Sequence, residues 1–87
     1  MTTSKIRMYG TNWCGDCHRA KRFFYDFGIE FEWIDVDQDQ QAEQYVRSMN
    51  QGKRVVPTIL FEDGSILVEP SFFQLAEKLE IDLNRVE

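Results

Sequence analysis

Charged and apolar residues alternate from Lys5 to Tyr9, with Ile6 and Met8 on one side, and the alternation stops at Gly10. A period of two marks a short strand with one covered face. From Gly15 the period lengthens: Ala20, Phe23, Phe24 and Phe27 fall on one helical stripe, and Gly28 stands where a left-handed C-terminal cap belongs. Phe31 to Val36 is rich in aromatic and β-branched residues and predicts a second strand, reached across the helix and so expected parallel to the first. The opening third of the chain reads as a βαβ unit.

Asp37 or Asp39 can cap a second helix, whose apolar positions Ala42, Tyr45, Val46 and Met49 recur at helical spacing until Asn50-Gln51-Gly52 ends it. Val55 to Phe61 is extended, Glu62-Asp63-Gly64-Ser65 is a turn, and Ile66 to Val68 is its antiparallel return. After Pro70, Ser71 followed three residues later by Gln74 forms a capping box, opening a helix with Phe72, Leu75, Ala76 and Leu79 on one face. The predicted order is β-α-β-α-β-β-α, an α/β fold. Nothing resembling a repeat, a low-complexity stretch or a linker divides it, and 87 residues suffice for one compact domain, 1–87, but not for two.

Composition narrows the setting. The two cysteines, Cys14 and Cys17, lie too close together to staple distant segments, so the fold must stand on packing rather than on disulfides. Met1-Thr2-Thr3-Ser4-Lys5 contains no apolar run of signal-peptide length, and no segment approaches the roughly 20 apolar residues of a membrane span. The expectation is a soluble, cytoplasmic protein. Ten Lys and Arg against fifteen Asp and Glu, a net charge of -5, argue against nucleic acid as a partner. Two basic clusters, Arg19-Lys21-Arg22 and Lys53-Arg54, read in the first instance as solvated faces.

The chemistry concentrates where the first strand meets the first helix. Disulfide exchange needs a thiolate, some exposure and a second cysteine within reach. Cys14-Gly15-Asp16-Cys17 supplies these if Cys14 stands at the helix mouth, where unpaired backbone N–H groups favour an anion, and Cys17 lies one covered turn further in. Asp16 opposes the effect: a carboxylate about 7 Å from the sulfur costs roughly 0.6 to 2.4 kcal/mol between aqueous and surface permittivities. Lys21 is two turns from Cys14, too far to compensate strongly. Trp13, directly before the nucleophile, is placed to form one wall of a substrate groove.

Three other chemistries use the same residues. Cys14-Gly15-Asp16-Cys17-His18 spells the C-x-x-C-H string of covalent c-type haem attachment, but the strand-rich pattern departs from small helical cytochromes, and Met8 and Met49 already belong to apolar faces. A structural zinc needs four ligands, which two cysteines and an adjacent His18 do not supply in tetrahedral geometry. An iron–sulfur cluster bridging two chains stays open as a side activity. A binding module that had kept only the fold would have no use for an intact cysteine pair.

Thr11-Asn12-Trp13-Cys14-Gly15-Asp16-Cys17, Lys53-Arg54-Val55-Val56-Pro57-Thr58 and Glu62-Asp63-Gly64-Ser65, in that order and spacing, resemble the glutaredoxin family of the thioredoxin superfamily, and within it the mycoredoxin branch. The resemblance covers nearly the whole chain. It implies a thioredoxin-like, four-stranded mixed sheet flanked by three helices, with Cys14 attacking and Cys17 resolving. It further implies a cis peptide before Pro57, which turns the Val56 backbone toward Cys14 to pair with an extended substrate. The groove so implied takes in Trp13, Gly15, Asp16, Arg54, Val56 and Pro57.

As partners the resemblance implies disulfide-containing proteins and a low-molecular-weight thiol, mycothiol or glutathione, as co-substrate rather than tightly bound cofactor, acting on a monomer. Glutathione-using members carry a Lys three residues before the first cysteine and a Gly-Gly-(Cys or Ser)-Asp segment before the last helix. Here those places hold Thr11 and Val68-Glu69-Pro70-Ser71, which argues against glutathione and leaves Arg54 as the anchor for a carboxylate or other polar group of the thiol. The runner-up is a thioredoxin-like electron donor to an enzyme such as ribonucleotide reductase, reduced by a flavoprotein.

Overall fold

The computed structural model describes residues 6–82. The elements run β1 (Arg7–Gly10), α1 (Gly15–Asp26), β2 (Glu32–Asp35), α2 (Gln40–Met49), β3 (Thr58–Leu60), β4 (Ile66–Val68) and α3 (Phe72–Lys78). The order predicted from the pattern is the order observed; the first residue of the predicted opening strand, Lys5, lies outside the described residues, as do the chain ends of the expected 1–87 domain. The sheet order is β2-β1-β3-β4. β1 pairs parallel with β2 and antiparallel with β3, and β3 pairs antiparallel with β4.

The period-two alternation sorts two cores. On one face Met8, Ile59 and Phe61 meet Ala20, Phe23 and Phe24 of α1 and Leu75 and Ala76 of α3. On the other, Tyr9 and Val36 meet Ala42 and Val46 of α2, with Ile34 and Leu60 packed against them. Adjacent residues such as Met8 and Tyr9 therefore serve opposite layers, and a one-residue slip of β1 would exchange both cores.

Side chains near in sequence define the helix ends. The Asp39 carboxylate accepts the Ala42 N–H at 3.0 Å and so caps α2, settling the choice between Asp37 and Asp39. Both halves of the Ser71–Gln74 capping box are formed, at 3.1 and 2.7 Å. Gly28 adopts φ 66°, and the Ile29 N–H reaches back to the Phe24 carbonyl at 2.8 Å, closing α1 with the left-handed turn that a side chain would strain. Lys78 of α3 holds Asp63 in the β3–β4 turn at 2.7 Å.

Three expectations shift. The extended run 55–61 yields a ladder of only Thr58–Leu60, because Pro57 has no N–H to give and the Thr58 hydroxyl donates to the Val55 carbonyl at 2.7 Å, bending the chain before the strand. The β2 ladder is likewise trimmed to Glu32–Asp35. Tyr45, Phe27 and Phe72, assigned to buried stripes, are only half-buried. Each instead lays one edge on a core ring: Tyr45 on Tyr9 at 5.7 Å between centroids, Phe27 and Phe72 on Phe23 at 4.7 and 5.0 Å.

Phe24, fully buried, and Phe73, 74% exposed, offer a paired test of where the packing energy lies. Phe24→Ala should lower the unfolding free energy by about 3 to 5 kcal/mol through the cavity it leaves, and Phe73→Ala by no more than about 0.5 kcal/mol. Urea denaturation followed by circular dichroism measures both.

Candidate functional site

The C-terminal end of β1 delivers the chain to α1 through Thr11, Asn12 and Trp13, and Cys14 is the N-cap of that helix. The residue that starts the helix is thus the one that would do the chemistry. Its backbone is extended, and its Sγ occupies the place usually taken by a Ser or Asp oxygen, accepting the Cys17 N–H at 3.4 Å. The Cys14 thiol is partly exposed and faces the Val56 carbonyl at 3.9 Å. The Val56–Pro57 peptide is cis, as the resemblance implied.

Cys17 has no accessible surface. It fits because Gly10 lacks a side chain: a Cβ there would lie 2.6 Å from Cys17 Sγ and 2.7 Å from the Trp33 ring. Burial, opposed in part by a backbone hydrogen bond at Thr11, pushes the Cys17 thiol from its ordinary 9.0 up to about 12. Exposed thiol outside and buried thiol one turn in is the division of labour expected of an attacking and a resolving cysteine. Lys21, set aside in the sequence reading as too distant from Cys14, lies 4.0 Å over the Trp33 ring, and its charge draws the Cys17 thiol slightly back down.

Asp16 does not stand as a free anion beside the nucleophile. It is paired with Arg19 one turn on, which offsets part of the repulsion expected from it. Gly15 is exposed at the first turn of α1, where a Cβ would meet only the Arg19 guanidinium, at 4.0 Å. His18 donates through Nε2 to the Asn12 carbonyl at 2.7 Å and so fastens the β1–α1 loop.

The guanidinium of Arg54, the residue expected to anchor a carboxylate of the thiol, makes a hydrogen-bonded ion pair with Asp37 and meets Glu43 of α2 at 3.4 Å. Asp37 in turn accepts the Trp13 indole N–H at 2.8 Å, and Asn12 donates to Asp35 at 3.2 Å. Arg54 and then the indole hold the Asp37 carboxyl below the usual carboxylate range. The sequence reading considered Asp37 only as a helix cap and passed over Asn12, Asp35 and Glu43. The one signal available was the density of acids at the end of β2, which the βαβ topology places beside the cysteine loop. No group of side chains among the described residues has the composition of a metal site, and no described helix is long and apolar enough to cross a membrane.

The Glutaredoxin family profile matches residues 6–66. A Mycobacterium tuberculosis (strain H37Rv) protein named as a glutaredoxin is 38% identical over 79 residues, 91% of this chain and 94% of the relative. Mycoredoxin 1 of Corynebacterium glutamicum is 36% identical over 77 residues, 88% of this chain and 95% of the relative. Among solved structures, the glutaredoxin-like NrdH-redoxin from Escherichia coli, described as having a thioredoxin-like activity profile, superposes with a TM-score of 0.63 at 34% identity, covering 71% of this chain and 78% of that one.

The two thiols should separate by pH. A raised folded-state value favours the neutral Cys17 thiol, so its contribution to stability is complete below the unfolded thiol's ordinary 9.0 and is lost as pH rises toward about 12. In reduced protein at about pH 8, iodoacetamide should therefore alkylate Cys14 and spare Cys17, with Cys17 yielding only near the upper value or on unfolding. Peptide mapping of the alkylated sites reads the outcome, and equal modification of both at about pH 8 would contradict the assignment.

Proposed function

Because the chain belongs to the glutaredoxin family of thiol-disulfide oxidoreductases, we propose that it reduces mixed disulfides between proteins and a small thiol by a dithiol mechanism, with mycothiol rather than glutathione as the preferred thiol. The carrying observation is the pairing at one helix mouth of a partly exposed Cys14 sulfur facing the Val56 carbonyl with a fully covered Cys17 one turn behind it. The Cys14 thiolate attacks the disulfide sulfur on the small-thiol side, forming the Cys14 mixed disulfide and expelling the protein thiolate, which takes up a proton. Cys17 then loses its proton and attacks Cys14 Sγ, expelling the small thiolate and closing the Cys14–Cys17 disulfide. Two electrons have passed from the dithiol to the substrate, and the cellular small-thiol pool or a flavoprotein reductase returns them.

The wall and floor of the groove follow from the same geometry. Trp13 is 72% exposed and stands beside the nucleophile. Val56 offers its backbone as a short edge for an extended chain, with Pro57 buried behind it and its carbonyl held by the Glu69 N–H at 2.9 Å. The preference for mycothiol rests on the absence of the lysine and the Gly-Gly-(Cys or Ser)-Asp segment at Thr11 and Val68-Glu69-Pro70-Ser71, and on the likeness to Mycoredoxin 1.

A second reading, electron donor to an enzyme such as ribonucleotide reductase, is favoured by the likeness to the Escherichia coli NrdH-redoxin and by the exposed Phe72 and Phe73 at the start of α3, an apolar rim suited to a protein partner. Efficient turnover with a thioredoxin reductase and none with either small-thiol system would select it.

Cys14→Ser should abolish disulfide reduction. Cys17→Ser should retain the first attack and accumulate a small-thiol adduct on Cys14, visible as a mass increment in the intact protein. Glutathione and mycothiol mixed disulfides of one peptide then decide the thiol: the proposal requires the larger kcat/KM for mycothiol, and equal or better use of glutathione would overturn it.

A further inference from the structure

Resting on the reading of this site as a mixed-disulfide reductase, we propose that Asp37 is the specificity-determining position of the groove, a positioning residue that holds Trp13 beside Cys14 and at the same time withholds Arg54 from substrate carboxylates. Three separate chain segments meet at this one carboxylate. One oxygen, Oδ2, accepts the Trp13 indole N–H at 2.8 Å. The other, Oδ1, is paired with Arg54 Nη2. The carboxylate itself is steadied by its own backbone, whose N–H bonds Asp35 Oδ1 at 2.9 Å, and Asp35 also receives Asn12 from the cysteine loop at 3.2 Å.

An indole with 72% of its surface in water has little packing to orient it, so its hydrogen bond to Asp37 is what sets the ring's position. The guanidinium two residues before Val56 has a planar fork well suited to a carboxylate, and here that fork already faces two: Asp37 on Nη2 and Glu43 on Nε. An anionic small-thiol moiety entering beside Val56 would have to displace Asp37 to reach Arg54. A neutral, hydroxyl-bearing moiety meets no such competition and finds the ring of Trp13 held in place. The groove thereby selects uncharged thiol partners through a clasp internal to the protein.

Two substitutions divide the clasp. Asp37→Asn keeps an acceptor for the indole but loses the charge that holds Arg54; Asp37→Ala loses both. The probes are one peptide disulfide-linked either to 2-mercaptoethanol, neutral, or to 3-mercaptopropionate, anionic. Asp37→Asn should raise the anionic-to-neutral ratio of kcat/KM by about five-fold, the worth of one partly exposed ion pair, with the change in KM and not in kcat. The Asp37→Asn/Arg54→Ala double variant should return the ratio to the parent's. Asp37→Ala should in addition raise KM for the neutral probe and shift the Trp13 emission, measured in a Trp33→Phe background. An unchanged ratio in Asp37→Asn, or a parallel loss on both probes, overturns the proposal. Parent protein that reduces neither probe overturns the reductase reading instead, and the emission arm still decides the clasp: an unshifted Trp13 in Asp37→Ala refutes it.

Discussion

The contact between Gly10 and the Cys17 sulfur is the constraint on which the rest depends. The C-terminal end of β1 has to pass within van der Waals distance of the first turn of α1, with the Trp33 ring closing the same space, and only a residue without a Cβ permits it. That closeness buries Cys17, and the burial raises its thiol far above the ordinary range. The asymmetry between the two sulfurs is thus a result of backbone packing before it is a matter of charge.

The sheet supplies the frame in which this contact is repeated at larger scale. α1 and α3 cover one face and α2 the other. The β1–α1 loop, the segment after β2 and the segment before β3 therefore converge at one end, with cysteines, acids and Val56 in reach of one another. Asn50 extends the frame, its amide donating both to the Val46 carbonyl of α2 and to the Thr58 hydroxyl at 2.9 and 3.2 Å. The 53–57 segment is consequently pinned to the end of α2.

Much of this could be read from the residues alone, and for local reasons. Periods of two and of 3.6, a glycine after a helix and a Ser-x-x-Gln box are each written within a few positions, so element order, caps and the contrast in burial between the two cysteines were legible. What escaped depends on contacts between segments far apart in the chain. Arg54 looked available because nothing near it in sequence is acidic, whereas its partners, Asp37 and Glu43, arrive from the segment after β2 and from α2. Phe72 satisfied the helical stripe but is the first residue of a seven-residue helix, and only one side of its ring meets α1, at Phe23 and Phe27. The shortened β3 follows from a side chain bonding its own backbone, which competes with the ladder and leaves no periodic trace.

The separation between what holds the two sulfurs and what lines their approach has an evolutionary meaning. Gly10 and the covered Cys17 belong to the interior and leave little latitude for replacement, while Trp13, Asp37, Arg54 and Glu43 are joined by polar contacts between partly or largely exposed side chains. Exchanges among the latter leave the packing around the sulfurs alone. A lineage whose cells changed their small thiol could re-tailor this protein by drift along its rim, keeping one inherited engine for electron exchange beneath an interchangeable face.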